Sequence, residues 1–327
     1  METDSINTGL LKSIEGKKHE LDTLRPFSPE IVRKLEEQFT LEWTYNSNAI
    51  EGNTLSLQET DLVINRGLTV GNKTLKEHFE ALNHKEGIQL LYDFVTKKKE
   101  LDEKVIFEIH KMIVRNISDK DAGHYRDANV MIMGAEHIPP SAIKIPALMT
   151  EFITWYYEHK SKLSVVELAG WVHYKMVHIH PFIDGNGRTA RLLMNLIFLQ
   201  NGYPPAVILH IDRRKYYRVL KEADREQYYD YFNFIGRSVE RSLIIYLNAL
   251  KSKNDKTDRY GYISLREASK ISGYSIAYLS YLARSRRLKA IKMQKNWLTT
   301  REALTDYIET IKKNDTKLFR LKDLIKR

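Results

Sequence analysis

The chain has 327 residues, 43% of them hydrophobic, and no cysteine. Disulfide scaffolds and thiol chemistry are excluded, and the length allows two or three domains. The net charge of +10 sits in the tail: residues 251–327 carry 20 Lys and Arg against 8 Asp and Glu, and residues 1–250 carry 32 against 34.

A basic tail of this kind points to a nucleic-acid or acidic partner; the rival reading is a solubilising terminus. The opening METDSINTGLLKSIEGKK has no apolar core of a signal peptide, and no apolar run approaches membrane-spanning length. A cytoplasmic protein without membrane contact is the expectation.

Most of the chain has helical period. Ser28 followed by Pro29 and Glu30 is a start signal, and the helix it opens is expected to run to about Ala49. Ser56 caps a short helix ending at Gly67, and residues 76–97 and 102–116 read as two more. Residues 125–142 break this pattern with a short β-like run and the turn residues Gly134, Pro139 and Pro140, which predicts a β-hairpin or extended flap. Helices resume at 146–160 and 164–178, then from about 186 to Gln200, where NGYPP stops the helix; two more are expected near 212–223 and 229–252. Residues 251–261 read as a linker. Beyond it, two short helices around a turn at 272–274, a basic hairpin turning at 294–296 and a third helix at 301–308 have the order of a winged helix-turn-helix.

The chemistry concentrates in HPFIDGNGRTAR, residues 180–191. Gly185 and Gly187 let successive N–H groups converge into an anion nest, and the helix beginning there adds unpaired donors and its positive dipole end. Arg188 and Arg191, three apart on that helix, present forked donors suited to phosphate oxygens. Asp184 beside a phosphate nest suits Mg²⁺ shared with the phosphates. His180 remains as a base near neutral pH. A di- or triphosphate, Mg²⁺ and a base together read as phosphoryl or nucleotidyl transfer to a hydroxyl. His173, His178 and His180 match no common zinc spacing.

At every defined position this stretch resembles the signature of the Fic family, H-x-F-x-D/E-G-N-G-R-x-x-R, and the resemblance extends over about residues 101–252. It implies a mainly α fold, a Fic helical core with a small flap, and transfer of AMP from ATP to a hydroxyl side chain of a protein target or of the chain itself. It implies His180 as the catalytic base and Asp184 as the Mg²⁺ ligand. Gly185, Asn186, Gly187, Arg188, Thr189, Ala190 and Arg191 would bind ATP, with Phe182 as the apolar pin of the loop. The flap around 130–137 would hold the target segment in extended form. Tyr216 and Tyr217 resemble nucleobase-side residues. Some relatives have Asn seven residues after the second tyrosine, where this chain has Asp224. SNAIEGN, residues 47–53, resembles the family's inhibitory pattern S/T-x-x-x-E-G/N. That implies that Ser47 and Glu51 restrain the site, with Glu51 paired to Arg191. The domains implied are 1–100 (helical, inhibitory), 101–252 (Fic core) and 260–327 (winged helix-turn-helix, a candidate DNA binder), and relatives often dimerise through the core. Two other readings stay open: removal of AMP from a modified protein, and a nucleotide-sensing DNA-binding regulator.

Overall fold

Helix starts in this protein are written by side-chain caps. Ser56, Thr74 and Ser164 each accept from the backbone N–H of a glutamate three residues on, and that glutamate reaches back to the cap's own N–H. The computed structural model describes residues 6–132, 136–251, 262–293, 296–301 and 303–308. Its first ten helices are α1 (Thr8–Thr23), α2 (Pro29–Ile50), α3 (Leu57–Arg66), α4 (Leu75–Thr96), α5 (Glu103–Val114), α6 (Ile145–His159), α7 (Val165–Ile179), α8 (Asn186–Gln200), α9 (Arg213–Ala223) and α10 (Tyr229–Lys251).

The chain divides into two compact units, Met1–Leu247 and Asn248–Arg327. In the first, α8 is the buried axis: from Asn186 to Phe198 every residue except Gly187 is buried. It packs most extensively on α7 and also on α4, α5 and α2. Gly170 in α7 permits a close approach, since a Cβ there would lie 2.7 Å from the Phe232 ring of α10. Helix α1 was not expected from the sequence. Asn7 caps it, its Ile14 and Leu21 are buried, and Ile6, Leu10 and Ile14 close over Gly236 of α10. The Lys17–Glu240 ion pair joins the same two helices.

Among its described residues, 125–132 and 136–142, the flap contains no strand. It is the extended alternative that is seen, because its polar backbone is paired with one buried side chain, described below, and not with a second strand. Gly134 lies outside the described residues.

The second unit contains β1 (Tyr262–Ser264), α11 (Leu265–Ser272), α12 (Ile276–Arg284), β2 (Ala290–Met293) and β3 (Asn296–Thr300), with helical residues 303–308 following. The sheet order is β1-β3-β2, antiparallel throughout. Ile263, Leu265, Ala268, Leu279, Leu282 and Leu288 build its core, and Trp297 packs against it. The linker residues 252–261, the turn residues 294 and 295, and the segment 309–327 lie outside the described residues.

Candidate active site

The loop from His180 to Gly185 joins α7 to α8, and its shape follows from local bonds. His180 ends α7 in the left-handed conformation (φ 51°, ψ 58°). Gly185 opens α8 at φ 79°, where a side chain would be strained and a Cβ would meet Val114 at 3.0 Å. Between them Asn186 clamps Phe182: its Oδ1 accepts from the Phe182 N–H at 2.9 Å and its Nδ2 donates to the Phe182 carbonyl at 2.8 Å. The fully buried Phe182 ring stacks on His110 at 3.6 Å. His110 Nδ1 accepts from the Gly123 N–H at 3.0 Å, so Nε2 carries the proton and donates to the Asp184 carbonyl at 3.0 Å. Burial holds this imidazole neutral, with its pKa lowered to about 4.

His180 is the residue expected to act as base. Its Nδ1 donates to the Val177 carbonyl at 3.3 Å, which leaves the lone pair on Nε2. Burial, aided by the Arg126 cation, lowers its pKa to about 4, against the opposing pull of the Val177 bond and of Glu51. It is therefore neutral and able to accept a proton across the physiological range. Arg126 itself was not legible in the sequence as a site residue. It is buried, and its guanidinium donates to the carbonyls of His180, Ala128 and Pro140. Its own N–H donates to the Pro181 carbonyl at 2.9 Å. One side chain thus ties the two limbs of the flap to the backbone of the base.

Asp184 is half-exposed and points outward. Its Oδ1 accepts from the Gly185 N–H at 2.6 Å and lies 3.4 Å from Arg188 Nη2, and its Oδ2 lies 3.7 Å from Lys76 Nζ. Burial raises its pKa, but Arg188, the Gly185 N–H and Lys76 outweigh that and leave it lowered, so the group is a carboxylate. Asn186, Gly187 and Arg188 form the first turn of α8, where N–H groups lack helical partners. Thr189 and Ala190 are different: both are fully buried, and the Thr189 N–H already donates to Gly185 O at 2.9 Å. The Thr189 amide is thereby used inside the helix, while its Oγ1 makes no hydrogen bond.

The two arginines hold buried N–H groups that make no well-aligned hydrogen bond, although Arg188 Nη1 has an ion-pair partner. Arg188 Nε and Nη1 and Arg191 Nη1 make no hydrogen bond. A buried unmet N–H is costly; of these donors Arg191 Nη1 would lie 3.1 Å from a Cβ on Gly187, so it faces the first turn of α8, a place suited to an anion. Both arginines also face carboxylates. Glu51, capping the end of α2, reaches Arg191 Nη2 at 2.7 Å, while Ser47 takes Arg191 Nε and Nη2 on its hydroxyl and carbonyl, each at 2.9 Å. A Cβ on Gly187 would lie 2.3 Å from Glu51 Oε1. The carboxylate therefore lies directly over the first turn of α8. Burial opposes the charge of Arg191, and Glu51 together with Tyr216 and Tyr217 more than offsets it, so the arginine's pKa is raised. The second carboxylate is Glu80 of α4, 3.3 Å from Arg188 Nη1 and held by Asn53 Nδ2 at 2.9 Å. No sequence signal points to Glu80: it lies 29 residues beyond Glu51, in a helix with no motif.

Tyr216 is buried behind Arg191, not open to solvent. Its hydroxyl donates to His173 Nε2 at 2.9 Å, His173 Nδ1 donates to Tyr231 at 2.8 Å, and Tyr231 donates to the Gly170 carbonyl at 2.8 Å. The chain of donors is one-directional, so the Tyr216 oxygen keeps its lone pairs toward the arginine. Tyr217 is exposed and stacks under Arg213 at 4.9 Å.

Residues 100–198 match the model of the Fic/DOC family. A Fic domain containing signaling protein from Bacteroides thetaiotaomicron is similar in structure, with TM-score 0.70 and 31% identity over 75% of this chain and 99% of that one. The chain belongs to the Fic family. A Fic family protein from Desulfovibrio desulfuricans shares the fold over 90% of this chain and 96% of its own, with TM-score 0.62 and 21% identity. The protein adenylyltransferase Fic of Drosophila persimilis is 35% identical over 72% of this chain. The chain spans about half the length of the curated relatives it matches, 46% in that case. Among the described residues of this Fic protein, no helix is long and apolar enough to cross a membrane.

Proposed function

We propose that the site transfers AMP from ATP to a hydroxyl side chain of a protein, and that Glu51 restrains it. The observation that carries this is the set of unmet Arg188 and Arg191 donors in the first turns of α8, following a loop whose histidine is kept neutral by burial. The similarity to a relative named protein adenylyltransferase supports it. His180 Nε2 takes the proton of the target hydroxyl. The oxygen attacks the α-phosphorus, the bond to the bridging oxygen breaks, and pyrophosphate leaves. The first turn of α8 and the two arginines bear the phosphate charge. Asp184, ionised and facing outward, fits Mg²⁺, which would neutralise charge on the phosphates. Met131, Ile138 and Ile143 are exposed along and just after the flap, an apolar edge for an extended target segment.

Glu51 favours a second reading on one observation: its carboxylate acts on both Arg191 and His180. A carboxylate there can orient water toward an AMP-modified side chain, the reverse duty. ATP labelled at the α-phosphorus, offered to the wild type and to His180→Ala, tests the first reading. Label from the α- but not the γ-position, lost in the variant, supports it. Release of AMP from a pre-labelled target, without any forward label, favours the second.

For the C-terminal unit we propose a winged helix-turn-helix that binds duplex DNA, with α12 as the reading helix and the β2–β3 hairpin as the wing. The order of elements and the excess of 20 basic over 8 acidic residues beyond position 250 support it.

A further inference from the structure

Just before the loop that carries His180, three side chains from three elements meet. His137 comes from the flap, His178 from the last turn of α7 and Asp224 from the end of α9. One ligand atom from each lies within 4.8 Å of the other two. We propose that these residues form a divalent transition-metal site, with Zn²⁺ its natural occupant, that ties the flap to the core.

Two imidazoles and one carboxylate, with room for water, are a donor set for zinc and its first-row neighbours and not for Mg²⁺ or Ca²⁺. Ligands about 2.1 Å from a tetrahedral zinc lie roughly 3.4 Å apart. His178 Nδ1 and Asp224 Oδ1 are already 3.1 Å apart, so a metal can take the place of the proton they share. The His137 and His178 rings lie face to face, 4.1 Å between centroids and 31° from parallel, so closing the triangle requires the His137 ring to turn.

The surroundings are those of a ligating set. His137 Nε2 donates to the His178 carbonyl at 2.8 Å, which fixes the ring and leaves Nδ1 unprotonated. A metal-bound histidine typically spends its other nitrogen in this way. The one Tyr174 hydroxyl proton is shared between Asp224 Oδ1 at 3.2 Å and the Ala223 carbonyl at 3.1 Å. Nearby cations do not oppose the metal unaided, because Lys221 and Arg225 both pair with Glu136, the neighbour of His137. Those pairs and His137 hold the same limb of the flap against α9 and α7. The sequence did not reveal the set, because its members are 41 and 46 residues apart and match no spacing motif.

The test is equilibrium dialysis of the metal-stripped full chain against ZnCl₂, with zinc read by mass spectrometry. The wild type is expected to hold one zinc per chain at micromolar free metal. His137→Ala, His178→Ala and Asp224→Asn should each weaken binding at least tenfold, with apo melting temperatures showing that the variants fold. His180→Ala combined with Asp184→Asn should still hold the zinc. Zinc should also raise the melting temperature of the wild type and not of His178→Ala. If the wild type holds no stoichiometric zinc at about 50 µM, or if only the His180 and Asp184 variant loses it, the proposal is overturned.

Discussion

Glu51 and Arg191 share one ion pair, yet their removal should not have matching effects. Glu51→Gly removes one of the two partners of Arg191 Nη2, leaving the Ser47 carbonyl, and clears the space over Gly187, which a phosphate needs. Glu51→Gln leaves an amide in that space and should activate less. Arg191→Ala breaks the same pair but removes a phosphate ligand, so it should abolish transfer; equal activation by Arg191→Ala and Glu51→Gly would mean a structural salt bridge only. Glu80→Gln loosens the hold on Arg188 without clearing Gly187, and a smaller gain than Glu51→Gly is expected in the same assay. His180 carries a separate prediction. Because burial lowers its pKa to about 4, transfer by the Glu51→Gly form should be flat from pH 8 to about 5 and fall only below. Glu51 pulls that pKa upward, so its removal moves the acid limb lower, not higher. An inflection near pH 6.5, the value of free imidazole, would contradict the buried base.

At the level of elements, Arg126 couples the flap to the base. Arg126→Ala removes the shared donor of the part-buried carbonyl contacts at His180, Ala128 and Pro140 and so unties the flap from the loop. The expected result is a raised KM for the protein target and a reduced kcat, with affinity for a non-hydrolysable ATP analogue within about threefold of the parent. Calorimetry and transfer kinetics check this; loss of nucleotide binding alone would place Arg126 elsewhere in the mechanism. Helix placement was legible because Ser56, Gly67, Asp102 and Ser164 mark ends by local chemistry. The α1 helix was not, since only Ile14 and Leu21 of its residues are buried and its partner α10 lies more than 200 residues on. Strand β1 was missed for a similar reason: it has three residues and pairs with β3 beyond two intervening helices. The motif 180–191 was readable because its groups are contiguous. Arg126, His110 and Glu80 act on it through backbone carbonyls or a charge from distant helices and loops, and no local pattern announces such contacts.

Across the whole molecule, four buried histidines set the response to acid. Burial lowers the pKa of His84, of His110 and His180 to about 4, and of His173 to about 3. Each is neutral when folded and takes a proton near pH 6.5 when unfolded, so the unfolded state binds more protons between those limits. Stability therefore rises with pH there, by up to about 1.4 kcal/mol per pH unit for each histidine, and is lost as pH falls below about 6.5. The melting temperature should be level from pH 8 to 7 and drop steeply from 6 to 5; a flat profile to pH 5 would contradict burial of these groups. The C-terminal unit makes its own prediction: DNA affinity should fall steeply with salt, and salt-insensitive binding to a protein without any DNA shift would assign it to docking. The central claim, a nucleotide site restrained from within, is tested most directly by label from α-labelled ATP on the protein and on lysate proteins, wild type beside Glu51→Gly. Relief of about 3 kcal/mol would raise transfer over a hundredfold, at roughly tenfold per 1.36 kcal/mol. Equal labelling by the two folded forms would contradict it.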